Sequence, residues 1–167
     1  MTYINEQLLE TVLVLDPKDL KDDINNIIKY KLKENIEGKC HEDGYIIKES
    51  VSIIRRNIGS IVTNDGKSEI KYLITYKAKI ISPSENDEIR IYINNINKMG
   101  IIGYIKLNEG DTSEESPLVV MIPREYFEGS SKNIHDLTIG QTLDVVVIGS
   151  RIKYHSENIQ VIAKPLE

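Results

Sequence analysis

Between Ile70 and Ile80 every second residue is apolar or aromatic: Ile70, Tyr72, Ile74, Tyr76, Ala78 and Ile80. A helix would spread these six side chains around its whole circumference. An extended chain puts all of them on one face. The stretch therefore predicts a long strand with one buried side. It is preceded by "IGSIVTNDGKSE" (58–69), in which Asp65-Gly66 separates two β-like runs. Asp-Gly between apolar runs is a strong hairpin signal, because both residues tolerate the positive φ of a tight turn. A β-rich chain organised around this hairpin is the expectation.

Upstream, "LLETVLVL" (8–15) reads as a first strand. "DPKDLKDD" (16–23) then reads as a helix entry. Asp16 or Asp19 is a candidate cap, Pro17 suits the first turn, and Asp22 and Asp23 favour the positive end of the macrodipole. Leu20, Ile24, Ile27, Ile28 and Leu32 form one apolar stripe, and Gly38 is a stop. A helix over about Lys18 to Asn35 is predicted, followed by a strand at "GYIIKESVSI" (44–53).

"SPSENDE" (82–88) has no apolar residue and marks a boundary near Pro83. Beyond it lie five short runs: Arg90–Asn95, Ile101–Leu107, and the segments 118–123, 142–152 and 158–166. A longer excursion, 124–140, and a turn at "HSEN" (155–158) connect the later ones. Glycines inside strands, Gly103 and Gly149, suit the bulges and bends of a small closed barrel. The pattern is that of an OB-fold. The fold expected is α+β, with an N-terminal domain over 1–82 and a five-stranded OB barrel over 83–167.

Charge narrows the function. The chain has 167 residues and a formal net charge of −5. Residues 1–80 carry 13 basic and 13 acidic side chains, whereas residues 81–167 carry 8 and 13. Phosphate neutralisation supplies most non-specific nucleic-acid affinity, so any binding by the acidic second half is expected to be weak. A single cysteine, Cys40, excludes an intrachain disulfide and reads as a small buried residue. Three scattered histidines and one cysteine do not make a zinc site. No phosphate-binding loop, nucleophile elbow or metalloprotease motif occurs, and carboxylate pairs such as Glu114–Glu115 read as solvated. No secretory leader, membrane span, cofactor, metal or catalytic residue is expected.

The order of several segments resembles one family. "IEGKCHEDGYII" (36–47) is similar to the segment after the first helix in the stalk subunit of multisubunit RNA polymerases, subunit seven of RNA polymerase II and its archaeal counterpart E-prime. "IGSIVTNDGKSEIKYLITYKAKI" (58–80) resembles that family's tip, through Gly59, Ile61, Asp65, Gly66, Tyr76, Lys77 and Ala78. "NNINKMGIIGYI" (94–105), "MIPREYF" (121–127) and "VIGSRI" (147–152) are similar to its barrel strands. The chain departs from the family at "SPSENDE", which lacks an aromatic and a lysine, and at "VIAKP" near the C-terminus.

The resemblance implies a truncated RNP-like α/β tip domain that docks on the core polymerase, and an OB barrel near exiting RNA. It further implies a non-catalytic role in transcription, with the largest subunits at the clamp and a helical subunit-four-like protein as partners, and nascent RNA weakly bound. The docking residues it points to are Gly59, Ile61, Val62, Asp65, Gly66, Ser68 and Glu69. Abundant Ile, Asn and Lys lean toward a large DNA virus. Localisation would be a virion or cytoplasmic viral factory in that case, and the nucleus if the source is cellular.

Basic groups combined with tyrosines give the RNA candidates: Arg90, Tyr92, Lys98, Tyr104, Arg124 and Tyr126. Strand tyrosines are also ordinary packing residues. The alternatives are a free-standing single-strand-binding OB protein and a small interaction protein that kept the fold without RNA contact.

Overall fold

The computed structural model describes residues 3–20 and 23–167. Lys21 and Asp22, and with Asp22 one of the helix-entry acids, lie outside the described residues.

The chain divides into two compact units. One takes Asn5–Gly38 and Ile46–Ile80; the other takes Lys39–Tyr45 and Ile81–Glu167, with Tyr3 and Ile4.

In the first unit, β1 (Ile4–Leu15) is followed by a short helical turn at Pro17–Asp19 and then by α1 (Ile24–Ile36). The helix thus starts later than the sequence suggests. Asp16 caps the short turn by accepting from Lys18 N–H at 3.1 Å. Asp23 caps α1 by accepting from Asn25 N–H at 3.0 Å. Two acidic caps in series make two elements. The expected apolar stripe holds: Ile28 and Leu32 are buried, and Leu20, Ile24 and Ile27 pack against the same cluster.

That cluster is completed by the long strand β6 (Lys67–Ile81), whose Tyr72, Ile74, Tyr76, Ala78 and Ile80 are all buried on one face, with Ile70 packed beside them. Burial of a large apolar side chain contributes about 1.5–3 kcal/mol, so this face holds α1 and the sheet together.

β4 (Ser52–Arg56) and β5 (Ser60–Asn64) both pair antiparallel with β6. The strand expected over 44–53 is interrupted. β3 (Gly44–Ile46), preceded by β2 (Cys40–His41), ends before β4 begins. Between β3 and β4, Glu49 takes φ 63°, and Ser50 Oγ donates to Ile47 O at 2.6 Å while accepting from Lys79 N–H at 3.1 Å. A hydroxyl here replaces a backbone group in the ladder.

The second unit holds a closed barrel of β7 (Glu88–Asn97), β8 (Gly100–Tyr104), β9 (Leu118–Pro123), β10 (Thr142–Arg151) and β11 (Ile159–Pro165). Around the barrel the order is β7-β8-β9-β11-β10, returning to β7. Only β9 and β11 run parallel. Ile89, Ile91, Ile93, Ile101, Val120, Val145 and Val161 line its interior. The order and the single parallel pair are consistent with an OB-fold.

Of the two in-strand glycines expected at bulges and bends, Gly149 lies at a bulge, whereas Gly103 answers to close packing. Gly149 follows the register shift between β10 and β11. Gly103 lies against Ile91 and Tyr92 O, where a Cβ has no room. Gly100, at φ 141°, passes directly over Ile122 O. β8 stops at Tyr104, three residues short of the expected run.

Candidate functional site

Two surfaces carry the residues that the sequence singles out, one in each unit. The first is the β5–β6 ribbon. Asn57 founds it: its Oδ1 accepts from Gly59 N–H at 3.2 Å and Leu73 N–H at 3.0 Å. Gly59, at φ 90°, lies against the Tyr72 ring. Beyond this point all five residues of β5 are exposed. Ile61 pairs with Ile70 and Val62 with Glu69; Ser68 and Glu69 lie on the returning strand. Asp65 and Gly66 close the turn at φ 49° and 76°, with open space around Gly66.

Ile61 is 78% exposed and the neighbouring Ile58 95%. Exposed large apolar side chains grouped on a ribbon make it a candidate interaction surface. All seven sequence-derived docking residues fall on this ribbon or at its base.

The second surface is the outside of β7, β8 and β9. Tyr92 and Tyr104 are register partners, with ring centroids 5.7 Å apart and planes inclined by 31°. Lys106 Nζ lies 4.5 Å from the Tyr92 ring centroid, within cation–π distance. Ile102 and Val119 extend the same half-buried face. Arg90 lies two residues from Tyr92, but Asp144 grips its guanidinium: Nε–H donates to Oδ1 at 2.8 Å and Nη2–H to Oδ2 at 3.3 Å. The hydrogen bond from Arg90 holds the Asp144 carboxyl below the usual carboxylate range. Much of the Arg90 charge is therefore answered within the barrel.

Lys98 and Arg124 form a separate group. The β7–β8 turn is tied by Met99 N–H donating to Asn97 Oδ1 at 2.8 Å, and Arg124 N–H donates to Met99 O at 3.0 Å. Tyr126 follows in the helical turn Arg124–Phe127. Four residue steps along β8 separate Gly100 from Tyr104, about 13 Å at the strand rise. The six candidates thus fall into a tyrosine group and a turn group.

A further cationic–aromatic region escaped the sequence reading, at the β10–β11 connection. Arg151, Lys153, Ser156, Asn158 and Gln160 line a cavity of about 160 Å³. Tyr154 is exposed, its ring 4.1 Å from His155 and 6.2 Å from His41. The signal was "RIKYH" (151–155), which places two cations beside an aromatic. Cys40, expected buried, is buried here. Its N–H donates to Ser156 O at 2.7 Å, its carbonyl accepts from His155 N–H at 2.9 Å, and burial pushes its thiol pKa up. Among the described residues no three His, Cys, Asp or Glu side chains come together as a metal site.

The closed five-stranded barrel, with tyrosines and a lysine on its outer face, is consistent with the OB class of fold. No family model matches the chain. Over 176 aligned residues, covering 99% of this chain and 82% of the relative, it is 26% identical to a protein of Acanthamoeba polyphaga mimivirus that is provisionally named a DNA-directed RNA polymerase subunit.

Proposed function

We propose that this chain is a non-catalytic subunit of a multisubunit DNA-directed RNA polymerase, built as a stalk. In this reading the first unit is a truncated RNP-like domain. Its ribbon, residues 59–69, docks on the largest subunits at the clamp, and a helical subunit-four-like protein is the second partner. The barrel lies near exiting transcript and contacts it weakly through Tyr92, Tyr104, Lys106 and Lys98. A ribbon that binds a closed clamp better than an open one shifts the core toward closure by that difference in affinity. The site of action is the viral factory or virion for a viral source and the nucleus for a cellular one.

The observation that carries the proposal is similarity along 99% of the chain to a viral protein so named. The exposed apolar ribbon supports it independently, since Ile61 and Val62 are available to a partner. Buried apolar anchors dominate interface energies.

The test is recovery of the tagged full-length chain from its native source, beside an Ile61→Asp, Val62→Asp double variant. The intact chain is expected to bring down large polymerase subunits, and the variant to lose them at least tenfold with an unchanged circular dichroism spectrum. Recovery of the chain alone from both preparations refutes the subunit reading.

The tyrosine face favours a second reading, a free-standing single-strand-binding protein. That reading requires the isolated chain to bind an oligouridine with affinity falling steeply as salt rises. It also requires Tyr92→Ala to weaken binding by the ~1–3 kcal/mol of one stacked base.

A further inference from the structure

A groove of about 420 Å³ runs between α1 and β4 in the first unit. That is the size of a ligand-binding cleft. One wall is helical, with Asn25, Asn26 and Lys29. The other is the strand itself, through every residue from Val51 to Arg56. A wall made of consecutive strand residues is a strand edge. Among the described residues β4 has β6 as its only ladder partner, so its other edge presents unpaired N–H and C=O groups. An open edge of this kind is a template for another strand.

The lining also has a sign. It carries Lys29, Arg55 and Arg56 and no carboxylate. A bulge at Ile54 sets the two arginines: Ile53 faces Tyr76, Arg55 faces Thr75 and Arg56 faces Ile74. Arg55 Nε–H reaches Thr75 Oγ1 at 3.5 Å on one side of the sheet. On the other side, Arg56 Nε–H donates to Asn25 Oδ1 at 2.9 Å and Nη1–H to Asn57 O at 2.9 Å, with the guanidinium 5.5 Å from the Tyr72 ring centroid. Arg56 is thus held rigidly at the groove, and Arg55 and Lys29 flank it in water. Ile54, 53% exposed at the bulge, adds apolar contact.

From this placement we infer that β4 receives an extended acidic segment of a partner protein, which adds a strand in the groove beside α1. Strand addition draws affinity from main-chain hydrogen bonds and specificity from the flanking side chains. Adjacent carboxylates on the incoming strand would stand opposite Arg55 and Arg56, one on each face of the sheet, and opposite charges across a pair of strands stabilise it. The same charges disfavour a second copy of this edge, because arginine would meet arginine. A neutral strand meets no such repulsion but forgoes the charge pairing, so the groove favours an acidic strand over a neutral one. The inference does not rest on the polymerase reading.

The test uses the full chain and a fluorescein-labelled eight-residue peptide, Ser-Val-Thr-Glu-Glu-Val-Thr-Ser. Controls are the same peptide with lysines for the glutamates, the glutamate peptide N-methylated at alternate residues, and an octauridine. Saturable binding of the glutamate peptide, read by anisotropy, is expected. Loss of tenfold or more is expected with the lysine peptide, with N-methylation, and with Arg55→Glu or Lys29→Glu in the protein. Both substituted side chains are exposed, so retained circular dichroism separates lost binding from lost fold. Absence of saturable binding at millimolar peptide overturns the inference, as does indifference to N-methylation. Tighter binding of octauridine that Arg55→Glu abolishes assigns the groove to nucleic acid instead. Self-association abolished by Arg55→Glu assigns it to a second copy.

Discussion

At the residue scale, the barrel makes opposite demands on its two in-strand glycines. Gly103 faces inward from β8, where a Cβ would collide with the Ile91 side chain and lie 3.1 Å from Tyr92 O. Gly149 follows a register shift in β10 and has nothing within 4 Å of the same position. Overpacking a filled interior costs about 1–3 kcal/mol. Replacing an unhindered glycine restricts the unfolded chain and stabilises by up to about 1 kcal/mol. Gly103→Ala is therefore expected to lower the urea midpoint by an amount equivalent to about 1–3 kcal/mol at unchanged slope. Gly149→Ala is expected to leave the midpoint the same or raise it slightly. Equal effects of the two substitutions would show that the Ile91 contact does not set the cost. The sequence marked both glycines as barrel residues, but it could not tell them apart, because the difference lies in what packs opposite.

At the element scale, the long strand β6 divides into a buried half and a free half. Tyr72 to Ile80 is anchored by the helix-backed core, whereas Lys67 to Glu69, next to the turn, pairs with Val62 to Asn64 of β5. A two-stranded ribbon is marginal in water, so the Asp65-Gly66 turn carries an unusual share of its stability. Gly66→Ala, at φ 76°, is expected to speed amide exchange at Ile61 to Asn64 while leaving Ile74 to Ile80 unchanged. Spread of the effect into the second set would mean that ribbon and core unfold as one.

The anchored half was legible in the sequence because a single buried face imposes a period of two. The helix stripe was legible for the equivalent reason at its own period. The break between β3 and β4 was not, since Ser50 mends the ladder with a hydroxyl and leaves no trace in the hydropathy pattern. Likewise the tyrosines and cations of the barrel face could be named, but the Asp144 that occupies Arg90 lies 54 residues away.

At the scale of the whole molecule, the compact unit containing the barrel is not one stretch of chain. Lys39–Tyr45 belongs to it although more than thirty residues of the other unit intervene before Ile81. The β2–β3 hairpin, with Cys40 paired to Tyr45, places the Cys40 backbone against the β10–β11 connection. There its carbonyl accepts from His155 N–H and its N–H donates to Ser156 O. His155 takes φ 64°, a conformation that needs support from its surroundings. A fragment cut at the compositional boundary, residues 83–167, keeps all five barrel strands and loses this support. In hydrogen exchange the fragment is expected to retain protection at Val145 and Val161, whose partners lie within the barrel, and to lose it at His155. Full protection of His155 in the fragment would show that the connection holds its own shape. Loss of protection at all three positions would show that the hairpin closes the barrel as well as buttressing one loop. Either result decides whether the Arg151, Lys153 and Tyr154 region can be presented to a ligand by the barrel alone.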